Sequence, residues 1–190
     1  MKNKSLYKII VIFFTLLFQI PVIAEDFNFD VTEIEIIEKG NVYKGLKRGK
    51  INTNDGIILN ADEFEYNKLT NILNASGNVK IEDVVNNYLI FSDKITYFKN
   101  ENIIITDGNS KAIEQNDNTK INAKKFEYNK SINRLIAKEN VFISNDIKDY
   151  KIYSNEITYF KNEEKFITKG KTRALIQSKY DIKSSDVIFF

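Results

Sequence analysis

The chain has 190 residues, 43% of them apolar and 13% aromatic, which is enough for one compact domain with a core and too few for two. It contains neither cysteine nor histidine, so disulfides, cysteine-type zinc sites, thiolate nucleophiles and the commonest general base are all excluded, and the composition speaks against an enzyme. The net charge of +2 falls to −1 (25 basic against 26 acidic residues) once the three lysines of the first 24 residues are set aside, and such a mixed-sign body lacks the basic face a nucleic acid requires.

Residues 1–24 carry Lys2, Lys4 and Lys8, then the apolar run Ile9 to Ile20, then Pro21 and Val22-Ile23-Ala24 before the first acid, Glu25. This is the three-part pattern of a secretory signal, with cleavage expected after Ala24 and export of the remainder. The apolar run is shorter than the roughly 20 residues a membrane-spanning helix needs.

From Phe27 onward, short runs of Ile, Val, Phe, Tyr and Thr alternate with Asn, Asp, Gly and Lys clusters, which predicts strands and tight turns. Phe27 to Ile37 reads as strand, Gly40-Asn41 as a turn before Val42-Tyr43, and Gly45 to Gly56 as a basic, turn-prone stretch with a hairpin signal at Asn54-Asp55-Gly56. Residues 60–101 then align without a gap on residues 122–163 with 23 identities in 42 positions, so the chain is built from repeats. A weaker period of 31 lies inside: Asp62, Tyr66, Asn71 and Gly77-Asn78 fall on Asp93, Tyr97, Asn102 and Gly108-Asn109. A further copy opens at Ser185-Asp186, which leaves the last strand an open edge or the start of further sequence.

One unit reads as a hairpin, a turn at Gly77-Asn78 and a short strand. If Tyr66 pairs with Asn71, then Phe64, Tyr66, Leu73, Ala75, Val79 and Ile81 share one face, while Glu63, Glu65, Lys80 and Glu82 fall on or near the other. Around the repeats, the same face collects Ile95, Tyr97 and Ile104, then Phe126, Tyr128, Leu135, Val141 and Ile143, then Ile157, Tyr159 and Phe166. Such a wall is either the closed core of a repeat protein, serving as an adhesin or scaffold, or the lining of a groove for a long apolar ligand; periodicity leaves both open. The acid pairs Glu33/Glu35, Asp62-Glu63 and Glu163-Glu164 read as solvated faces and turns, and Asn116-Asp117-Asn118 and Asn145-Asp146 as turns without a calcium-loop spacing. No catalytic residue, metal or cofactor is expected.

Ala61-Asp62, Tyr66, Ala75 and Gly77-Asn78-Val79, repeated with Ala123, Tyr128, Ala137 and Asn140-Val141, resemble the OstA-like family of lipopolysaccharide transport proteins. That family comprises the bridge protein LptA, the anchored LptC and the N-terminal domain of the outer-membrane assembly protein LptD. Phe27-Asn28-Phe29-Asp30-Val31 through Gly40-Asn41 and Asn54-Asp55-Gly56 look most like the LptD domain. The resemblance covers nearly all of residues 27–190 and implies an all-β, open β-jellyroll, periplasmic and tied to outer-membrane assembly, whose groove holds lipopolysaccharide acyl chains. Sixteen wall residues, those named from Phe64 to Phe166 without the small Ala75, would line that groove. It further implies edge-to-edge pairing with another such jellyroll, here through Val31, Ile34 and Ile36 at one end and Val187 and Ile188 at the other, and an outer-membrane barrel in any sequence beyond Phe190. The absence of the cysteines that join many LptD domains to their barrel leaves that last link unsupported.

Overall fold

The computed structural model describes residues 27–190; the expected signal segment lies outside them. The chain forms antiparallel strands: β1 (Phe27–Asp30), β2 (Ile34–Ile37), β3 (Val42–Gly45), β4 (Gly49–Thr53), β5 (Ile57–Ala61) and β6 (Glu63–Asn67) are short. Six long ones follow, β7 (Ile72–Asp83), β8 (Tyr88–Phe98), β9 (Ile103–Glu114), β10 (Lys120–Asn129), β11 (Arg134–Asn145) and β12 (Tyr150–Phe160). Four short strands close the sequence: β13 (Lys165–Lys169), β14 (Thr172–Ile176), β15 (Tyr180–Ser184) and β16 (Ile188–Phe189). The 31-residue period is therefore two strands, a step of roughly 9.5 Å across the sheet.

Each long strand bends at its middle, where the pairing register slips: between Ser76 and Val79, Phe91 and Lys94, Asn122 and Lys125, and Lys138 and Val141. The bends line up and fold one sheet into two facing leaves. The first leaf runs β2, β3, β6, then residues 72–76, 94–98, 103–107, 125–129, 134–138 and 156–160 of the long strands, then β13 and β16. The second runs β1, β4, β5, then the other halves of the same strands, then β14 and β15. The sheet does not close on itself: at one end β7 parts between β6 and β5, and at the other β12 parts between β13 and β14. This is the expected open, repeated jellyroll.

Local chemistry explains the bends. Gly77 and Asn78 have φ of 75° and 47°, and Gly108 and Asn109 have 84° and 47°, the left-handed conformation that glycine and asparagine tolerate best. Asp62 clamps the first bend by accepting from Asn78 Nδ2 at 2.7 Å, and Asp93 accepts from Asn109 at 2.8 Å. Gly77-Asn78 is thus a bulge within one continuous strand, where the sequence suggested a turn between two. Buried hydroxyls satisfy carbonyls that the slipped ladder leaves over: Ser92 Oγ donates toward the carbonyls of Lys94, Asp107 and Gly108, and one period of 62 later Ser154 Oγ bonds those of Glu156 and Lys169.

Three other expectations need correcting. Tyr66 pairs with Leu73, not Asn71, because Asn71 takes φ 55° to close the turn; the slip of two residues leaves every side chain on its expected face. The stretch from Gly45 to Gly56 contains strand β4, although Asn54-Asp55-Gly56 is the hairpin turn foreseen. Val31 lies between β1 and β2 and packs against the core, and Val187 precedes β16, so neither belongs to an edge strand.

Candidate functional site

All sixteen wall residues point into the space between the leaves, and each is 0–6% exposed. Twelve belong to the first leaf; Val79, Ile81, Val141 and Ile143 have Ile51, Leu59, Ile90, Ile121 and Ile152 as unforeseen companions on the second. The expected single wall is therefore two walls packed against each other. The missed residues lie in strand halves beyond the bulges or before the clear repeat, where alternation restarts in a new phase.

The two ends of this interior differ. At the β1 end, Phe27, Phe29, Tyr43 and Tyr66 form an aromatic plug, with Phe27 and Tyr66 ring centroids 4.5 Å apart and Phe29 stacked on Tyr43 at 5.9 Å. At the far end, where β13 and β14 diverge, a cavity of about 250 Å³ is floored by Tyr150, Ile152, Tyr159, Phe166, Ile176 and Phe189. Asp117, Lys148 and Glu164 stand at its rim.

Opposite the bends, the hairpin turns of one leaf meet those of the other along a polar seam. Tyr97 donates to Asp55 at 2.9 Å, and Lys99 and Lys130 approach the same carboxylate at 2.5 and 3.2 Å. Tyr128 donates to the fully buried Asp83 at 2.8 Å, and Asn133 donates to Asn86 at 2.9 Å. Lys161 lies 2.7 Å from Glu114, and Lys148 2.7 Å from Glu164. Burial alone would raise the Asp55 carboxyl, but the hydrogen bonds from Lys99, Thr53 and Tyr97 and the charge of Lys130 hold it well below the usual carboxylate range. The bond to Glu164 raises Lys148 to about 12 against the opposing effect of burial, with Asp117 adding to the rise. Burial pushes the hydroxyls of Tyr88, Tyr128 and Tyr159 far up, so they remain protonated.

The seam was not anticipated, yet its signal is in the sequence. Tyr66, Tyr97, Tyr128 and Tyr159 are each followed two positions later by Lys68, Lys99, Lys130 and Lys161, all at intervals of 31. Inward rings with rim hydroxyls and adjacent ammonium groups are what a two-leaf closure requires. Ile34 and Ile36 on β2 and Ile188 on β16 are 42%, 55% and 56% exposed and lie at the two edges of the first leaf. The described residues contain no group of three or more metal-ligating side chains.

No family model matches the sequence, and no curated protein does. Among solved structures, the fold is similar to that of LptH, the LptA-homologous periplasmic component of the lipopolysaccharide transport device of Pseudomonas aeruginosa, with a TM-score of 0.55 and 13% identity over 70% of this chain and 94% of that one. At that identity the match establishes a shared jellyroll architecture, arrived at independently of the short motifs that pointed to it.

Proposed function

We propose that this chain is a non-catalytic member of the OstA-like lipopolysaccharide transport family, located in the periplasm, that takes lipid acyl chains between its leaves and hands them on. The observation that carries the reading is the asymmetry of the interior: apolar between the bends and the seam, plugged by aromatic rings at the β1 end and opening into the cavity of about 250 Å³ at the other. Each methylene moved from water into such a space contributes about 0.8 kcal/mol, so even a short stretch of acyl chain supplies useful affinity. The exposed edges at β2 and β16 fit strand-to-strand pairing with further jellyrolls. The likeness to LptH favours an LptA-like bridging role; the opening motifs, Phe27 to Val31 above all, favour the LptD N-terminal domain, and the carrier function proposed is common to both.

Site-specific photo-crosslinking tests this. A photoreactive residue at Ile152 or Phe166, both facing the cavity, should capture lipopolysaccharide, whereas the same group at Lys151, which points outward from the same strand, should not. Equal labelling at Lys151 and Ile152, or no labelling at any position in folded protein, would favour the alternative of a closed-core scaffold, which the tightly packed interior also suits.

A further inference from the structure

The leaves are held together in two different ways. On the bend side, six continuous strands join them covalently. On the other side they meet through side chains, while the backbone hydrogen bonds of the seam turns run within one leaf, as from Lys99 N to Asn71 O, Lys130 N to Asn102 O and Gln115 N to Asn87 O. The seam can therefore part without breaking those bonds.

Seam contacts are weakest at the cavity end. Lys99 and Lys130 are each 8% exposed in their side chains against Asp55 at 25%; Lys161 and Glu114 are at 16% and 3%; Lys148 and Glu164, at the cavity end, are at 43% and 72%. Exposed pairs of the last kind contribute little, because water and salt screen them. Inside the closed seam the hydroxyl of Tyr88, itself 0% exposed, has no hydrogen-bond partner, although the Lys161 ammonium lies 4.9 Å from the centre of its ring. A buried orphan hydroxyl makes the closed state costlier than a fully paired one. The space available is also small: sites that enclose drug-sized ligands hold roughly 300–1,000 Å³, above the volume of the end cavity, so a lipid with several chains does not fit while the leaves stay shut.

We infer that the seam is a lateral latch, which parts progressively from Lys148–Glu164 toward Asp55 to admit a multi-chain lipid sideways between the leaves, with the bend line as hinge and the Asp55 cluster as the last point to hold. The inference rests on the conduit reading and adds the route of entry. It also gives the Tyr-x-Lys repeat a role in loading: Tyr97, Tyr128 and Tyr159 belong to the apolar wall, and Lys99, Lys130 and Lys161 to the closure.

The test exploits the lack of cysteine. The Asn86→Cys/Asn133→Cys variant places one thiol on each leaf at mid-seam, away from the end cavity, where the present side chains lie 2.9 Å apart. A short reducible bifunctional thiol linker, added to the folded protein, then locks the seam. Two probes are compared: purified lipopolysaccharide, which has several acyl chains, and a fluorescent single-chain fatty acid. The latch requires that locking weaken lipopolysaccharide binding at least tenfold, that reduction restore it, and that fatty-acid binding at the open end change less than twofold. Equal lipopolysaccharide binding by locked and reduced protein would overturn the latch and leave the conduit standing. Failure of the reduced variant and of the unaltered chain to bind either probe overturns the conduit and the latch with it. A second variant, Lys148→Met/Glu164→Met, removes both charges while keeping unbranched side chains of similar size and should speed lipopolysaccharide association at least threefold; an unchanged rate would count against opening from that end.

Discussion

Lys130 reaches Asp55 across 75 positions of sequence and bonds it twice, with Nζ 2.8 Å from the main-chain oxygen and 3.2 Å from the carboxylate. Lys99, one period earlier, ends on the same residue. Two ammonium groups that are 8% exposed thus share one carboxylate at the join between the leaves. Asp55→Asn keeps the shape but removes the counter-charge from both, and should destabilise the fold by about 3 kcal/mol, the usual scale for breaking a largely buried pair. Urea denaturation reads this as a lower midpoint with an unchanged slope. A shift no larger than that of an exposed pair would mean that the Asp55 cluster does not hold the leaves together.

The same cluster sets an acid dependence. Asp55 has a depressed carboxyl pKa in the folded protein, so its stabilisation is fully present above the ordinary aspartate value of about 3.9 and is lost as pH falls from there through the lower folded value. The difference in urea midpoint between the unaltered chain and Asp55→Asn should hence be constant from pH 7 to 5 and begin to narrow below about pH 4. A gap that narrows already between pH 7 and 5 would assign the effect to some other group.

Much of this architecture was legible because the repeat shows which positions share a face. Phe64 and Tyr66 could be placed on the inner face from alternation alone, and an error of two residues in their pairing did no harm, since the period of a strand is two. The bulges were harder to see. Gly77-Asn78 carries the same residues a turn would, and the difference lies in Asp62, 15 positions earlier, which clamps the bend from the neighbouring strand. The seam was hidden for a related reason: Asp55 sits in a turn and Asp83 and Glu114 end strands beside turns, where acids are ordinarily solvated, and their environment depends on a fold that brings positions 45 to 75 residues apart together. Composition at a turn says nothing about what faces it.

Buried and exposed leucines should respond very differently to truncation. Leu73 and Leu135 occupy equivalent positions one 62-residue period apart and are 0% exposed, each between two tyrosine-bearing strands. Leu73→Ala or Leu135→Ala should cost about 2–5 kcal/mol, the sum of lost burial and the cavity left behind. Leu69→Ala, at a turn position 74% exposed, should change stability by less than about 0.5 kcal/mol. If the interior loosens enough to admit lipid, bound fatty acid should partly restore the thermal midpoint of Leu135→Ala by occupying the space, and leave that of Leu69→Ala unmoved relative to the unaltered chain with the same ligand.

The bends offer a test in which one copy of the repeat corrects another. Gly77, Gly108 and Gly170 recur at intervals of the 31-residue period, with φ of 75°, 84° and 81°, and the position between Gly108 and Gly170 holds Glu139 at φ 66°. A side chain is admitted there because Lys124 stands where the Gly77 and Gly108 copies have the clamping Asp62 and Asp93, and pairs with Glu139 at 3.0 Å. That pair is exposed and contributes little, while the left-handed backbone costs a non-glycine residue roughly 1 kcal/mol or more. Glu139→Gly should therefore be neutral or stabilising by up to about 1 kcal/mol, once glycine's greater freedom in the unfolded chain offsets part of the gain. The reverse change, Gly108→Glu, puts a Cβ 2.4 Å from Asp93 Oδ2 at φ 84°, and should be destabilising by more than that amount. Thermal melts of the two variants decide it: if Gly108→Glu is tolerated as well as Glu139→Gly, the aspartate clamp does not fix the bends, and the alignment of the bulges must come from packing between the leaves alone.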